Sequence, residues 1–211
     1  MIMQFNLINS VQKDSSAIVL LLSNLLTIVL AVVFNWSLII ILWSYWLQSV
    51  IIGFFSFIKI LSLQNFSTEG FKSNGRSVLP TTATKISTAF FFAFHYGFFH
   101  LVYALFLLTF SFVSQSISLT DFGFVFLSGI IFFVNHLFSF NYFKNKTQKK
   151  QNLGTVMMFP YLRIVPMHLT IIFGGFFLVS ATASLPILVF FLILKTIADL
   201  GMHTIEHKEQ I

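Results

Sequence analysis

Four ionisable residues near the C-terminal end, Lys195, Asp199, His203 and His207, follow one another at steps of four. On an α-helix that spacing stacks them along one face, a turn apart. A carboxylate and an imidazole so placed can hold one metal ion between them, as two histidines do on the helix of a zinc protease. The string HTIEH, His203 to His207, also has the H-x-x-E-H form of inverted zinc proteases. It lies at the outer edge of its apolar run, however, whereas Asp199 and His203 lie deeper. An ion pair between Lys195 and Asp199 within the helix explains those two residues without any ligand.

Other residues of the same chemistry are scattered through apolar surroundings. HYGFFH places His95 and His100 five residues apart, about 140° around a regular helix, so the two face different directions unless a π-bulge realigns them. His95 is the candidate ligand of the two, with His100 in a supporting or structural role. His136 lies in a polar patch with Asn135 and Ser139. PYLRIVPMH brings Arg163 and His168 into one segment. Arg163 either extends to a lipid phosphate or turns inward to hold an anion or Asp199. Gln48 is an amide among the aromatics of YWLQ. With no cysteine in the chain, disulfides, thiolate catalysis and cysteine-bound metals are excluded.

The elements that must position these residues are membrane spans. Of 211 residues, 57% are hydrophobic and only 9% charged, and the mean hydropathy is +0.90. Soluble domains carry roughly 25% charged residues, so this chain lacks the charges to clothe a water-exposed surface. About 20 apolar residues cross the hydrocarbon as a helix. Six runs qualify: 16–34, 36–60, 85–110, 120–142, 158–180 and 185–207. The expected fold is therefore all-α, a polytopic membrane bundle of about six helices in a single domain covering 1–211. Loop 61–84 carries Lys72 and Arg76, and loop 143–157 carries Lys144, Lys146, Lys149 and Lys150, while the three other loops have no Lys or Arg. The positive-inside rule then puts both termini and both basic loops in the cytoplasm, with the chain integral to the cell (inner) membrane. The net charge of +6 reflects these loops, so no nucleic-acid partner is expected. By composition both basic loops read as flexible, solvated segments touching anionic lipid heads.

Ionisable groups inside a bilayer are costly and mark function. Counting the helical rise from the cytoplasmic ends puts His95 and His168 about 15 Å deep, Asp199 about 12 Å, and His136, Arg163 and His203 about 6–9 Å. His100 and Lys195 lie at about 18–22 Å by the same count. The expected site is one layer in the cytoplasmic half, with His95, His168, Asp199 and His203 as metal ligands and His100, His136, Arg163, Lys195 and Gln48 behind them.

HYGFFH, PYLRIVPMHLTIIFGG and LKTIADLGMHTIEH resemble motifs of an uncharacterised prokaryotic family of multi-spanning membrane proteins, a domain of unknown function. The resemblance extends over the second to sixth spans and singles out His95, Gly97, His100, Arg163, His168, Lys195, Asp199 and His203. It also implies an acidic residue on the YW-containing span, where this chain has Gln48. It names no activity.

Three functions fit these residues. A zinc or non-haem iron centre with nitrogen and oxygen ligands would serve an intramembrane hydrolase acting on a lipid or amide, or on another small molecule, with a metal-bound water as nucleophile. Haem b held by histidines such as His95 and His168 is the first alternative. The second is a proton-coupled transporter with Lys195, Asp199 and the histidines as relay. The catalytic residues, the substrate and the oligomeric state stay open at this point.

Overall fold

The computed structural model describes residues 37–73, 75–114, 119–146, 150–177 and 184–210, with seven helical positions between 21 and 33. The rest of the expected first span and both chain termini lie outside the described residues. The described elements are α1 (Leu38–Ser62), β1 (Phe66–Ser67), β2 (Lys72–Ser73), β3 (Arg76–Ser77), α2 (Thr82–Ser114), α3 (Leu119–Lys146), β4 (Gln151–Asn152), α4 (Leu153–Met158), a 3-10 turn (Phe159–Arg163), α5 (Ile164–Phe177) and α6 (Ser184–Gln210). The class is all-helical, as composition requires. Two helices are long and apolar enough to cross a membrane, α1 and the Thr82–Phe112 stretch of α2, and α3 has a shorter apolar stretch, Val125–Val134.

The chain divides into two compact units. One is Ile39–Tyr161, holding α1 to α4. The other joins the chain up to Leu38 with Leu162–Ile211, and in it α5 packs against α6.

Within the first unit, α2 is two-faced at helical spacing. Ala89, Phe92, Tyr96, His100, Tyr103 and Leu107 are buried, while Phe90, Phe94, Phe98, Leu101, Leu105, Leu108 and Phe112 are exposed. The outward stripe is as apolar as the inward one, so polarity does not distinguish the faces. Packing does: α1 is sewn to the buried stripe by hydrogen bonds. Trp43 Nε1 donates to Ser111 Oγ (3.0 Å) and Trp46 Nε1 to the His100 carbonyl (2.8 Å). Against α1 from α3 come Phe133 on Phe55 (5.3 Å between rings) and Phe122 on Trp43 (6.1 Å). Gly129 makes that approach possible, because any side chain there would run into Leu47.

Two expectations need correction. The run 158–180 is not one straight helix: the chain passes from α4 through the 3-10 turn FPYLR before α5 begins. Pro160 lacks the amide hydrogen a continuing helix needs, and the Pro166 ring is accommodated only in the first turn of a new helix. The second concerns the basic loops, whose described residues include short paired strands. β1 runs parallel to β4, with Phe66 opposite Gln151 and Ser67 opposite Asn152, and β2 pairs antiparallel with β3. Gly75 turns the β2–β3 hairpin with a φ of 76°, a conformation that only glycine adopts freely. Asn152 joins the two loops: its side-chain Oδ1 caps α4 by accepting from Thr155 N (3.1 Å), and its Nδ2 donates to the Glu69 carbonyl (2.9 Å).

Candidate functional site

The second unit holds the charged cluster. Asp199 sits on α6 with its side chain 7% exposed. Lys195, one turn earlier, places Nζ 2.6 Å from Oδ2, and Arg163, at the end of the 3-10 turn, places Nη2 3.5 Å from Oδ1. Both cations are largely sheltered too, at 22% and 13% exposure. The intrahelical pair that the spacing allowed is therefore formed, and Arg163 has turned inward to join it. The break in the run 158–180 contributes here, since Arg163 stands where the chain enters α5.

His168 lies on α5, beyond Arg163, and is exposed. His203 continues the α6 helix, but its side chain lies outside the described set, as does that of His207. Among the described residues no three His, Asp or Glu side chains converge in a group able to hold a metal. The donor set at Asp199 suits a divalent ion poorly, because both carboxylate oxygens face cations that would repel it.

The first unit holds a neutral cluster. His100 Nδ1 lies 2.8 Å from the Tyr96 carbonyl, which can only accept, so Nδ1 carries the hydrogen. In the neutral ring Nε2 then accepts from Ser49 Oγ at 2.9 Å. The Tyr96 hydroxyl lies 2.8 Å from that same oxygen and donates to the Ser49 carbonyl at 3.0 Å. The Tyr96 ring fits because residue 53 on α1 is glycine: a Cβ there would meet ring carbons at 2.5 and 2.8 Å. Ser49 and His100 have the spacing of a nucleophile and its general base. Yet they are 1% and 4% exposed, so no substrate reaches the oxygen and the network acts as a clamp between α1 and α2.

His95 faces away from His100, as the five-residue offset requires, and is exposed. Its Nδ1 contacts the Tyr161 hydroxyl at 2.9 Å and its ring stacks on Phe91. His136 is half-buried and stacked on Phe132 at 4.4 Å. Gln48 is also half-buried, and the buried polar contacts on its turn of α1 belong to its neighbour Ser49. Thus Asp199 is brought together with Lys195 and Arg163, and His100 with Ser49 and Tyr96. Sequence reasoning missed Ser49 and Tyr96, since a serine and a tyrosine in an apolar helix carry no spacing signal. The glycine one turn after Ser49 was the available hint.

Comparison with curated proteins and with solved structures gives no match. Residues 6–210, nearly the whole chain, match the family of unknown function DUF6498, and the chain belongs to that family.

Proposed function

We propose that this protein is a polytopic carrier of the cell membrane, six-spanning with both termini cytoplasmic, and that Arg163, Asp199 and Lys195 form its proton-coupling centre. The observation that carries this reading is a buried carboxylate shared by two cations, one on its own helix and one from the segment entering α5. Such a centre has two electrostatic states. With Asp199 ionised, its carboxylate engages both cations; with a proton on Asp199, that engagement weakens. Binding of a proton and of a solute are thereby linked through the same three side chains.

The membrane assignment is supported by α1 and α2 being long and apolar enough to span, and by the exposed apolar stripe of α2. A stripe of that extent is a liability in water and suits lipid. A zinc or iron enzyme would need Asp199 to exchange both cations for the metal, and the carrier reading uses the cluster as it stands.

The test is purified protein in sealed vesicles with a trapped pH-sensitive dye, challenged in turn with gradients of amines, neutral solutes and anions. At least one gradient is expected to move protons in the wild type, with the movement lost in Asp199→Asn. Failure of every gradient to move protons above protein-free vesicles would overturn the proposal.

A further inference from the structure

We infer that His95, backed by Tyr161, binds the head group of a long-chain quinone dissolved in the bilayer, in both its quinone and its quinol form. The inference goes beyond the carrier reading, uses none of its three charged residues and shares only the membrane placement with it. It starts from an imidazole where lipid is expected. His95 stands close to the midpoint of the apolar stretch Thr82–Phe112 of α2, and it is exposed. Its Nδ1 meets the Tyr161 hydroxyl at 2.9 Å, and its Nε2 has no hydrogen-bond partner among the described residues. A polar group without a partner is costly in hydrocarbon. At this depth the partner must be lipid-soluble and must carry a hydrogen-bonding atom.

The two tautomers of His95 narrow the class. When Nδ1 accepts from the Tyr161 hydroxyl, Nε2 carries the hydrogen and donates to a carbonyl. When Nδ1–H donates to the Tyr161 oxygen, Nε2 accepts from a hydroxyl. In both arrangements the imidazole is neutral and Tyr161 keeps its proton. A quinone presents the carbonyl, and its quinol presents the hydroxyl at the same ring position. The surroundings suit a flat ring. Phe91 stacks on the imidazole at 5.3 Å and 12°, and Phe99 meets it edge-on at 5.1 Å. Phe91 is itself exposed, so it offers a further aromatic surface to a ring entering from the lipid side. Phe91, Phe99 and Tyr161 are uncharged, so an ionised head group such as a fatty-acid carboxylate meets no counter-charge among them. Phe98 and Leu105, exposed on the same side of α2, give the ligand's tail an apolar track.

The probe is a benzoquinone with a decyl tail and carbon-13 at its carbonyls, added to full-length protein in vesicles of neutral lipid. The infrared spectrum of the wild type is expected to show a second carbonyl band, moved to lower frequency by the hydrogen bond and saturable with added quinone. His95→Phe keeps a ring at the position and removes both nitrogens. It is expected to lose the shifted band and to bind about five- to ten-fold more weakly, the worth of one hydrogen bond. Tyr161→Phe is expected to keep the band at a different frequency, because Nδ1 loses its partner while Nε2 remains. His95→Gln, whose amide both donates and accepts, is expected to restore part of the binding.

Should His95→Phe not fold, an azido derivative of the same quinone decides the matter on the wild type. Its label is expected within Phe91–Phe99, displaced by excess quinone and not by decanol. A wild-type spectrum like that of protein-free vesicles, a shifted band that survives in His95→Phe, or a label that decanol displaces equally well would each overturn the inference. None of these results bears on the trapped-dye test of the carrier reading, so the two fail separately.

Discussion

Gly53 is the residue on which the α1–α2 clamp depends, because the Tyr96 ring occupies the space a side chain would need. Gly53→Ala is expected to lower stability by about 1–3 kcal/mol, the usual cost of overpacking. In a Tyr96→Ala background the same change should cost little. Thermal unfolding in detergent measures both, and equal losses in the two backgrounds would mean that the ring is not the obstacle. The charged cluster makes a sharper prediction. Asp199→Ala removes the carboxylate that two sheltered cations share and should destabilise by about 3–5 kcal/mol. A simple Lys195–Asp199 pair would tolerate Lys195→Met with Asp199→Leu, but here that double change leaves Arg163 without its carboxylate. Only the triple change, adding Arg163→Met, should restore stability, and a well-tolerated double would show that Arg163 is no member of the cluster. The pair was legible in the four-residue spacing; Arg163 as third partner was one of two alternatives that spacing alone could not separate.

Elements were legible in proportion to their length. α1, α2, α3 and α6 follow apolar runs whose extent gives them away, and their ends shift by only a few residues from the expected spans. The interruption at Phe159–Arg163 was present in the positions of Pro160 and Pro166, which uniform hydropathy across 158–180 obscured. The β pairings of the basic loops were not legible, since two-residue strands are too short to show a period and their Ser, Asn and Gly content looks like loop. What holds them is tertiary, above all Asn152, which serves α4 and Glu69 at once. Asn152→Ala should therefore cost about 1 kcal/mol through the lost cap and also speed proteolytic cutting within 64–78. A change in stability without any change in that cutting would show that the cap and the loop are independent.

At the scale of the whole molecule, the full chain extracted without added metal is expected to carry no stoichiometric zinc, iron or haem, because the Asp199 carboxylate already faces two cations and no metal-holding group of His, Asp or Glu converges among the described residues. Elemental analysis and an absorption spectrum check this, and a bound metal that disappears in Asp199→Ala would revive the metal reading. The parallel pairing of Phe66–Ser67 with Gln151–Asn152 bears on the molecule in another way. Hydrogen-bonded strands share one compartment, and the helices in the chain between them are α2 and α3, which follow the β2–β3 hairpin. Any bilayer entered by α2 must then be left again by α3, which makes the number of crossings between residues 67 and 151 even. This parity is independent of where the lysines lie. The chain has no cysteine of its own, so Ser67→Cys with Asn152→Cys supplies its only two thiols, at facing positions where neighbouring strands are about 4.8 Å apart and a disulfide can close. Ready cross-linking in intact membranes would fix the parity as even, and two thiols labelled from opposite sides would break it.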